Sequence, residues 1–227
     1  MKLTVLGSCR QDSLYHMYPV TSIRDSLTYP HYTKEVIQAL EFCKGLSPIP
    51  HPLTQSLFRS GILSKRPLDA AQFYNDFFTT DVFVIEIASR ITYLYKGFYA
   101  HHIVTEPEYG FPDPENVITG ELTDEEIEAD LLRIKELVYP KKCMIVSHIY
   151  TRQSGKRYEL VKLLERLCDT HSIPFFDPIQ KLALGPGPGS GPSPIPALFK
   201  DEPLLSHYTE YGHSQIAPFY KKFIESL

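Results

Sequence analysis

Short apolar runs bounded by turn residues recur along the chain and predict the strands of one sheet. The clearest runs cover residues 3–6, 81–87 and 143–147, and the middle one is rich in β-branched and aromatic side chains. A shorter run at residues 173–176 contains Pro174, which favours a place at the edge of a sheet. Four short buried strands are therefore expected.

Apolar residues at helical spacing predict helices between these strands. The best-defined helix covers residues 123–138, where Thr123 and Glu126 have the spacing of a capping box. Another covers residues 34–44, with Thr33 as its cap and Gly45 as its stop. Further helices are predicted near residues 70–78, at 158–168, and at 215–227 with Pro218 in the first turn. Residues 11–32 lack clear periodicity, which predicts a loop that contains at most a helical turn. Residues 91–120 are aromatic and contain Pro107, Pro112 and Pro114, which predicts an extended excursion over the surface.

Strands that alternate with helices predict an α/β fold. We expect a doubly wound, mainly parallel sheet flanked by helices in three layers, with right-handed crossovers. A chain of 227 residues fits one domain spanning residues 1–227. Residues 185–196 are almost entirely Gly, Pro and Ser, which predicts a flexible loop between the body and a short C-terminal element.

The composition limits which classes of partner and which cellular compartment we expect for the protein. Basic residues number 23 against 27 acidic ones, so we expect no nucleic acid partner. No apolar run approaches the ~20 residues of a membrane span. The start of the chain lacks a signal-peptide pattern, and the four cysteines have no metal-ligand spacing, which favours a reducing, cytoplasmic location. Nothing in the sequence indicates an oligomeric state.

Candidate nucleophiles follow the first predicted strand. Gly7 permits a tight turn, and Ser8 and Cys9 come directly after it. Parallel strands end at one edge of a sheet, where open α/β folds bind their ligands. The topology therefore places Ser8 and Cys9 near Ser89 and Arg90, which follow the second long strand, and near His148, which follows the third.

A second informative stretch lies near the C-terminal end, where His207 comes five residues before Gly212. Val5-Leu-Gly-Ser-Cys-Arg10 resembles the first conserved block of the SGNH (GDSL-like) hydrolase superfamily, in a variant in which Gly-Asp-Ser becomes Gly-Ser-Cys. His207-Tyr-Thr-Glu-Tyr-Gly-His213 resembles the block that carries the catalytic histidine of that superfamily. With this Gly-Ser-Cys variant, the chain resembles SGNH-like proteins of polysaccharide and capsule biosynthesis.

This resemblance implies an acyl-transfer centre in which Cys9 is the nucleophile, with Ser8 as the alternative, and His207 is the general base. We expect the thiol pKa to lie below the ~8.5 of a free cysteine, because an imidazolium is close. Leu204 stands where the superfamily has an aspartate, so Asp201, Glu202 or a backbone carbonyl is expected to orient His207. Ser89 stands in for the superfamily's oxyanion asparagine. Arg90 is expected to hold an anion. Arg10 and His148 are further candidates for substrate contact.

The expected function is that of a carbohydrate O-acyl esterase or O-acyltransferase acting on a small-molecule or carbohydrate substrate. No cofactor is required, although an acyl donor such as acetyl-CoA is a candidate co-substrate. The alternative is a non-catalytic SGNH-like carbohydrate-binding module. Tyr29 and His31 either contact substrate or cover the core. His101 and His102 lack a third ligand at useful spacing, so we predict no metal site.

Overall fold

A computed structural model describes residues 1–23, 27, 29–150, 153–184, 198–200 and 207–227. The strands are Leu3–Leu6 (β1), Val82–Ile87 (β2), Ile91–Tyr95 (β3), Phe98–Tyr99 (β4), Val117–Glu121 (β5), Lys142–Ser147 (β6), Phe175–Phe176 (β7), Phe199–Lys200 (β8) and His207–Tyr208 (β9). The main sheet contains four parallel strands in the order β1-β2-β6-β7. All four predicted strands are confirmed, and β7 takes the edge position that Pro174 favours.

Helices cover both faces of this sheet. They are Asp12–Met17 (α1), Thr33–Cys43 (α2), Thr54–Leu57 (α3), Arg59–Ser64 (α4), Ala71–Thr79 (α5), Asp124–Val138 (α6), Lys156–Thr170 (α7), Pro178–Leu184 (α8) and Glu210–Ser226 (α9). The capping box at the start of α6 is present, with both of its hydrogen bonds formed. Among the described residues, no helix is long and apolar enough to cross a bilayer.

Alternate residues of each strand point to opposite faces and build two cores. On β2, Phe83 and Ile85 pack with the apolar faces of α2, α5, α6 and α7. Val82 and Val84 pack on the other side with α1 and α9, where Tyr220 is fully buried. The predicted three-layer α/β fold is therefore confirmed.

The surface excursion predicted for residues 91–120 lies outside the main sheet, but it contains regular structure that the prediction lacked. Strands β4, β3 and β5 form a separate antiparallel sheet in that order. Lys96 and Gly97 both have positive φ and form the two-residue turn between β3 and β4. The sequence signal was a glycine in a two-residue break between aromatic runs, which is typical of a tight hairpin.

Two boundaries also differ from expectation. The segment predicted as a loop from residue 11 contains α1, a helix too short to show periodicity. The last helix begins at Glu210 rather than Gln215, because Thr209 caps it by accepting a hydrogen bond from the Gly212 amide at 3.0 Å. Pro218 therefore lies inside α9 and not in its first turn. The predicted Gly/Pro loop lies outside the described residues.

Candidate active site

The turn after β1 places Ser8 and Cys9 at the carboxyl edge of the main sheet. The space at Gly7 is tight although its φ is not positive: a Cβ would lie 2.5 Å from Oε1 of Gln11, at the end of a side chain that would have to move, and 3.3 Å from Cβ of Glu86. Cys9 begins a single 3-10 turn, Cys9–Gln11, that leads directly into α1. The nucleophile candidates are thus presented on a strand–turn–helix element, as the sequence indicates.

Ser8 is held by its own turn. Its amide donates to Oε2 of Glu86 at 2.8 Å, and its hydroxyl accepts hydrogen bonds from the Arg10 amide at 3.4 Å and the Arg10 guanidinium at 2.7 Å. Only 5% of Ser8 is exposed, whereas Cys9 is half-buried. The Ser8 hydroxyl is therefore occupied as a cap, and Cys9 is the better-placed nucleophile.

The thiol of Cys9 is not activated by the resting fold. Burial raises its pKa; the charges of Asp12 and Glu86 act in the same direction, whereas Arg10 and a hydrogen bond from the Tyr29 hydroxyl oppose them. The expected lowering of the thiol pKa is therefore wrong for this state. Desolvation of the thiolate outweighs its positive neighbours, so a base has to take the proton during attack.

This balance predicts the pH profile of alkylation. The rate of Cys9 modification by iodoacetamide follows the thiolate fraction, so its rise should lie at a higher pH than the rise for free cysteine. Tyr29→Phe removes a hydrogen bond that lowers the pKa and should move the profile further up. Asp12→Asn removes a negative charge and should move it down. Peptide mapping of alkylated Cys9 across a pH series measures all three profiles, and identical profiles would contradict the assigned causes.

Three arginines make the edge around this turn electropositive. The Arg10 guanidinium lies 3.7 Å from Oε1 of the buried Glu86. Burial and then the charge of Arg10 lower the pKa of Arg157, which sits at the start of α7. Arg59 lies over the Tyr29 ring, 4.6 Å from its centroid. Glu86, Asp12 and Asp177 neutralise part of this charge, and the guanidinium groups are the kind of donor that an anionic ligand requires.

His148 follows β6 and lies beside this group. Its Nδ1 lies 2.7 Å from the Ile149 carbonyl oxygen, which can only accept, so Nδ1 carries the proton and Nε2 has the lone pair. Burial, followed by the charges of Arg10 and Arg157, holds the pKa of His148 well below its usual value. His148 therefore lies at the predicted edge of the site as a neutral imidazole.

The polar side chains of the turn after β2 form hydrogen bonds within the fold. The Ser89 hydroxyl accepts from the Ile91 amide at 2.9 Å, at the start of β3. Arg90 donates to Asp124 at 2.6 Å, on the first turn of α6. The oxyanion role of Ser89 and the anion-binding role of Arg90 stay predictions. The structure shows that each side chain already has an intramolecular partner.

The strand of His207 lies against the nucleophile turn. β9 contacts the 3-10 turn Cys9–Gln11, and Tyr208 beside His207 is buried and stacks on Phe199 with ring centroids 5.2 Å apart. His207 itself is exposed. This placement keeps the predicted base on the side of the sheet that carries Cys9. Its expected partners Asp201 and Glu202 lie outside the described residues, so its catalytic role stays a prediction.

Sequence reasoning missed two buried carboxylates at the same edge. Glu86 is the only charged residue in β2, and it anchors the Ser8 amide. Asp177 follows β7, caps α8 through the Ile179 and Gln180 amides, and accepts from the Tyr150 hydroxyl at 3.0 Å. The signal for Glu86 was a single charge within an otherwise apolar strand, because buried charges require partners.

Three imidazoles meet beside the Cys9 turn. The ring centroid of His31 lies 4.2 Å from that of His102 and 5.2 Å from that of His101, and the latter two are 4.4 Å apart. His31 thus supplies the third histidine that the sequence pattern lacked. The premise for predicting no metal site does not hold in the folded chain.

Comparisons with known proteins agree with the resemblance only in part. A family model described as the TviD N-terminal domain matches residues 1–106, which contain Cys9 and the three imidazoles. No curated protein matches the chain. A lipase/acylhydrolase structure from Enterococcus faecalis is 13% identical with a TM-score of 0.46, covering 99% of this chain and 95% of that chain. An aryl esterase structure from M. smegmatis is 12% identical with a TM-score of 0.40, covering 100% of this chain and 99% of that chain.

Proposed function

We propose that the chain is an acyl-transfer enzyme that uses the Cys9 thiol as its nucleophile and acts on carbohydrate O-acyl groups, as an esterase or an O-acyltransferase. The observation that carries the proposal is the contrast between the two neighbours on the turn. The Ser8 hydroxyl is buried and accepts from Arg10, whereas the Cys9 thiol is half-buried at the carboxyl edge of the sheet. Ligands of open α/β sheets bind at that edge.

The chemistry proceeds in two steps. Cys9 loses its proton to a base, for which His207 is the candidate, and sulfur attacks the acyl carbonyl. The tetrahedral intermediate collapses, the C–O or C–S bond of the donor breaks, and the leaving alcohol or thiol takes the proton back. Water or a sugar hydroxyl then attacks the thioester and frees Cys9.

The turn also offers a donor for the oxyanion. The Cys9 amide makes no hydrogen bond to another of the described residues, in contrast to the Ser8 and Arg10 amides on either side. Backbone N–H groups are typical donors of an oxyanion hole.

The electropositive edge supports an anionic donor or substrate. Arg10, Arg59 and Arg157 gather near the turn although the whole chain has a net charge of −4. Guanidinium groups bind phosphate and carboxylate through paired N–H donors. Acetyl-CoA, which carries phosphates, fits this environment better than a neutral ester does, so we place the transferase branch first.

The first test is formation of an acyl-enzyme. The protein is incubated with an activated aryl acetate, or with acetyl-CoA, and intact mass is measured at short times. One acetyl group per chain is expected in the wild type and none in Cys9→Ala. If no adduct forms with either donor, while a carbohydrate ligand binds, the chain is a binding module and not an enzyme.

A further inference from the structure

We infer that His31, His101 and His102 form a binding site for one divalent transition-metal ion of the Zn²⁺ type. One ring nitrogen from each residue lies within 4.8 Å of those of the other two. The site is separate from the thiol chemistry proposed above and does not depend on it.

The three side chains are supplied by backbone that is already fixed. The His31 carbonyl accepts from the Ala88 and Ser89 amides, both at 2.9 Å, and the His31 amide donates to Glu35 at 2.8 Å. The His101 amide donates to the Leu57 carbonyl at 2.9 Å. A site whose ligands are held before the ion arrives loses little conformational entropy on binding.

The hydrogen bonds of His101 and His102 decide which ring nitrogen has a lone pair for a metal. Nδ1 of His102 is 2.5 Å from Oε1 of Glu106, so Nε2 is the nitrogen left for a metal. Nδ1 of His101 accepts from the Ile103 amide at 3.3 Å, so in this tautomer the buried Nε2 carries the proton, and ligation through Nε2 requires the other tautomer and the loss of that long hydrogen bond. A carboxylate behind a ligating histidine fixes its tautomer and raises its basicity, as in many zinc sites.

Burial agrees with this geometry, because metal ligands have to be neutral imidazoles and burial disfavours the charged ring. His101 is 1% exposed, and its Nε2 has no hydrogen-bond partner among the described residues. A buried polar nitrogen without a partner is costly.

Two features limit the affinity. In a tetrahedral site with Zn–N bonds of 2.0–2.1 Å, ligand nitrogens lie about 3.4 Å apart, so nitrogens that now lie within 4.8 Å of one another have to move closer by up to about 1.4 Å. His31 and His102 are only partly buried and can make that shift. The positive charge of Arg59, which acts on all three rings, also opposes a dication, whereas the carboxylate of Glu106 beside His102 offsets it. Three histidines leave a fourth position open for water or another ligand.

The test is metal binding by the full chain without an affinity tag. After chelation, Zn²⁺ is titrated by calorimetry, and Co²⁺ is titrated by its visible absorption. One ion per chain is expected, with the intense bands of a four- or five-coordinate cobalt site. The proposal is overturned if the wild type binds no more metal than the double variant His31→Ala/His102→Ala.

Variants that keep the fold sharpen the result. Glu106→Gln retains all three imidazoles and should weaken Zn²⁺ binding by about 10- to 100-fold. Arg59→Gln should tighten it, because a repelling charge is removed. His51→Ala, an exposed histidine outside the group, should leave affinity unchanged. Cys9→Ser should also leave it unchanged, and loss of binding there would show that the thiol holds the ion and would overturn the assignment.

Discussion

Replacing Cys9 with alanine is expected to lower the rate of acyl transfer by at least about 1,000-fold, because no other group on the turn can take the place of the thiol. Ser8→Ala should lower the rate by only about 10-fold. It removes the acceptor for Arg10 and the cap of the turn, and loss of such a cap costs about 1 kcal/mol of stability. The measurement is kcat/KM with an aryl acetate or acetyl-CoA, together with thermal melts of both variants.

The contrast between these two variants decides the register of the turn. If Cys9→Ala kept full activity while Ser8→Ala had none, the nucleophile would be the serine, and the resemblance would be aligned one residue too late. Cys143→Ala is the matched control, because that thiol is buried in the core on β6 and burial raises its pKa to about 11. We expect the Cys143→Ala variant to be somewhat less stable than the wild type and to keep its full rate of acyl transfer.

Replacing Gly212 with alanine should lower the free energy of unfolding, because the added methyl group has no room at this position in α9. A Cβ there would overlap the Leu198 carbonyl oxygen and lie 3.0 Å from the Tyr208 ring. That carbonyl already accepts from the Thr209 amide at 2.9 Å, so it cannot simply move away. Alanine gains up to about 1 kcal/mol in helix propensity, but overpacking against backbone costs about 1–3 kcal/mol or more.

The expected net effect is a fall of several degrees in the melting temperature, since 1 kcal/mol corresponds to about 2–4 °C at this chain length. Acyl transfer should fall as well, because the pair β8 and β9 carries His207 and rests on the Cys9 turn. Ser214→Ala is the control on the same helix, where the side chain is exposed and no clash arises. Equal melting temperatures for the two variants would contradict the close packing at Gly212.

The parts of the fold that depend on local pattern could be predicted from the sequence. Strands β1, β2 and β6 are mostly apolar and, apart from Lys142, buried on both faces, and the capping box of α6 is a local motif. The antiparallel sheet of β3, β4 and β5 could not be predicted in the same way. Several prolines flank it, and its hairpin signal at Lys96-Gly97 is only two residues long.

Some features of the candidate site follow from local sequence, whereas others depend on contacts between distant parts of the chain. The position of Cys9 follows from its place after a strand, and that placement is confirmed. The raised pKa of its thiol depends on burial and on Glu86, a residue brought close only by pairing of β1 with β2. His31 lies in a separate loop that is hydrogen-bonded to the residues just after β2, and this places its ring beside those of His101 and His102. The positions of the three histidines in the sequence do not predict that contact.

The most direct test of the thiol as the acyl carrier is mapping of the trapped acyl-enzyme. Trypsin cleavage after Lys2 and Arg10 releases a peptide that contains both Ser8 and Cys9. After a short reaction with acetyl donor and acid quenching, tandem mass spectrometry locates the acetyl group, and neutral hydroxylamine removes it if it is a thioester. We predict a hydroxylamine-sensitive acetyl group on Cys9; a hydroxylamine-resistant acetyl group on Ser8 would contradict the account.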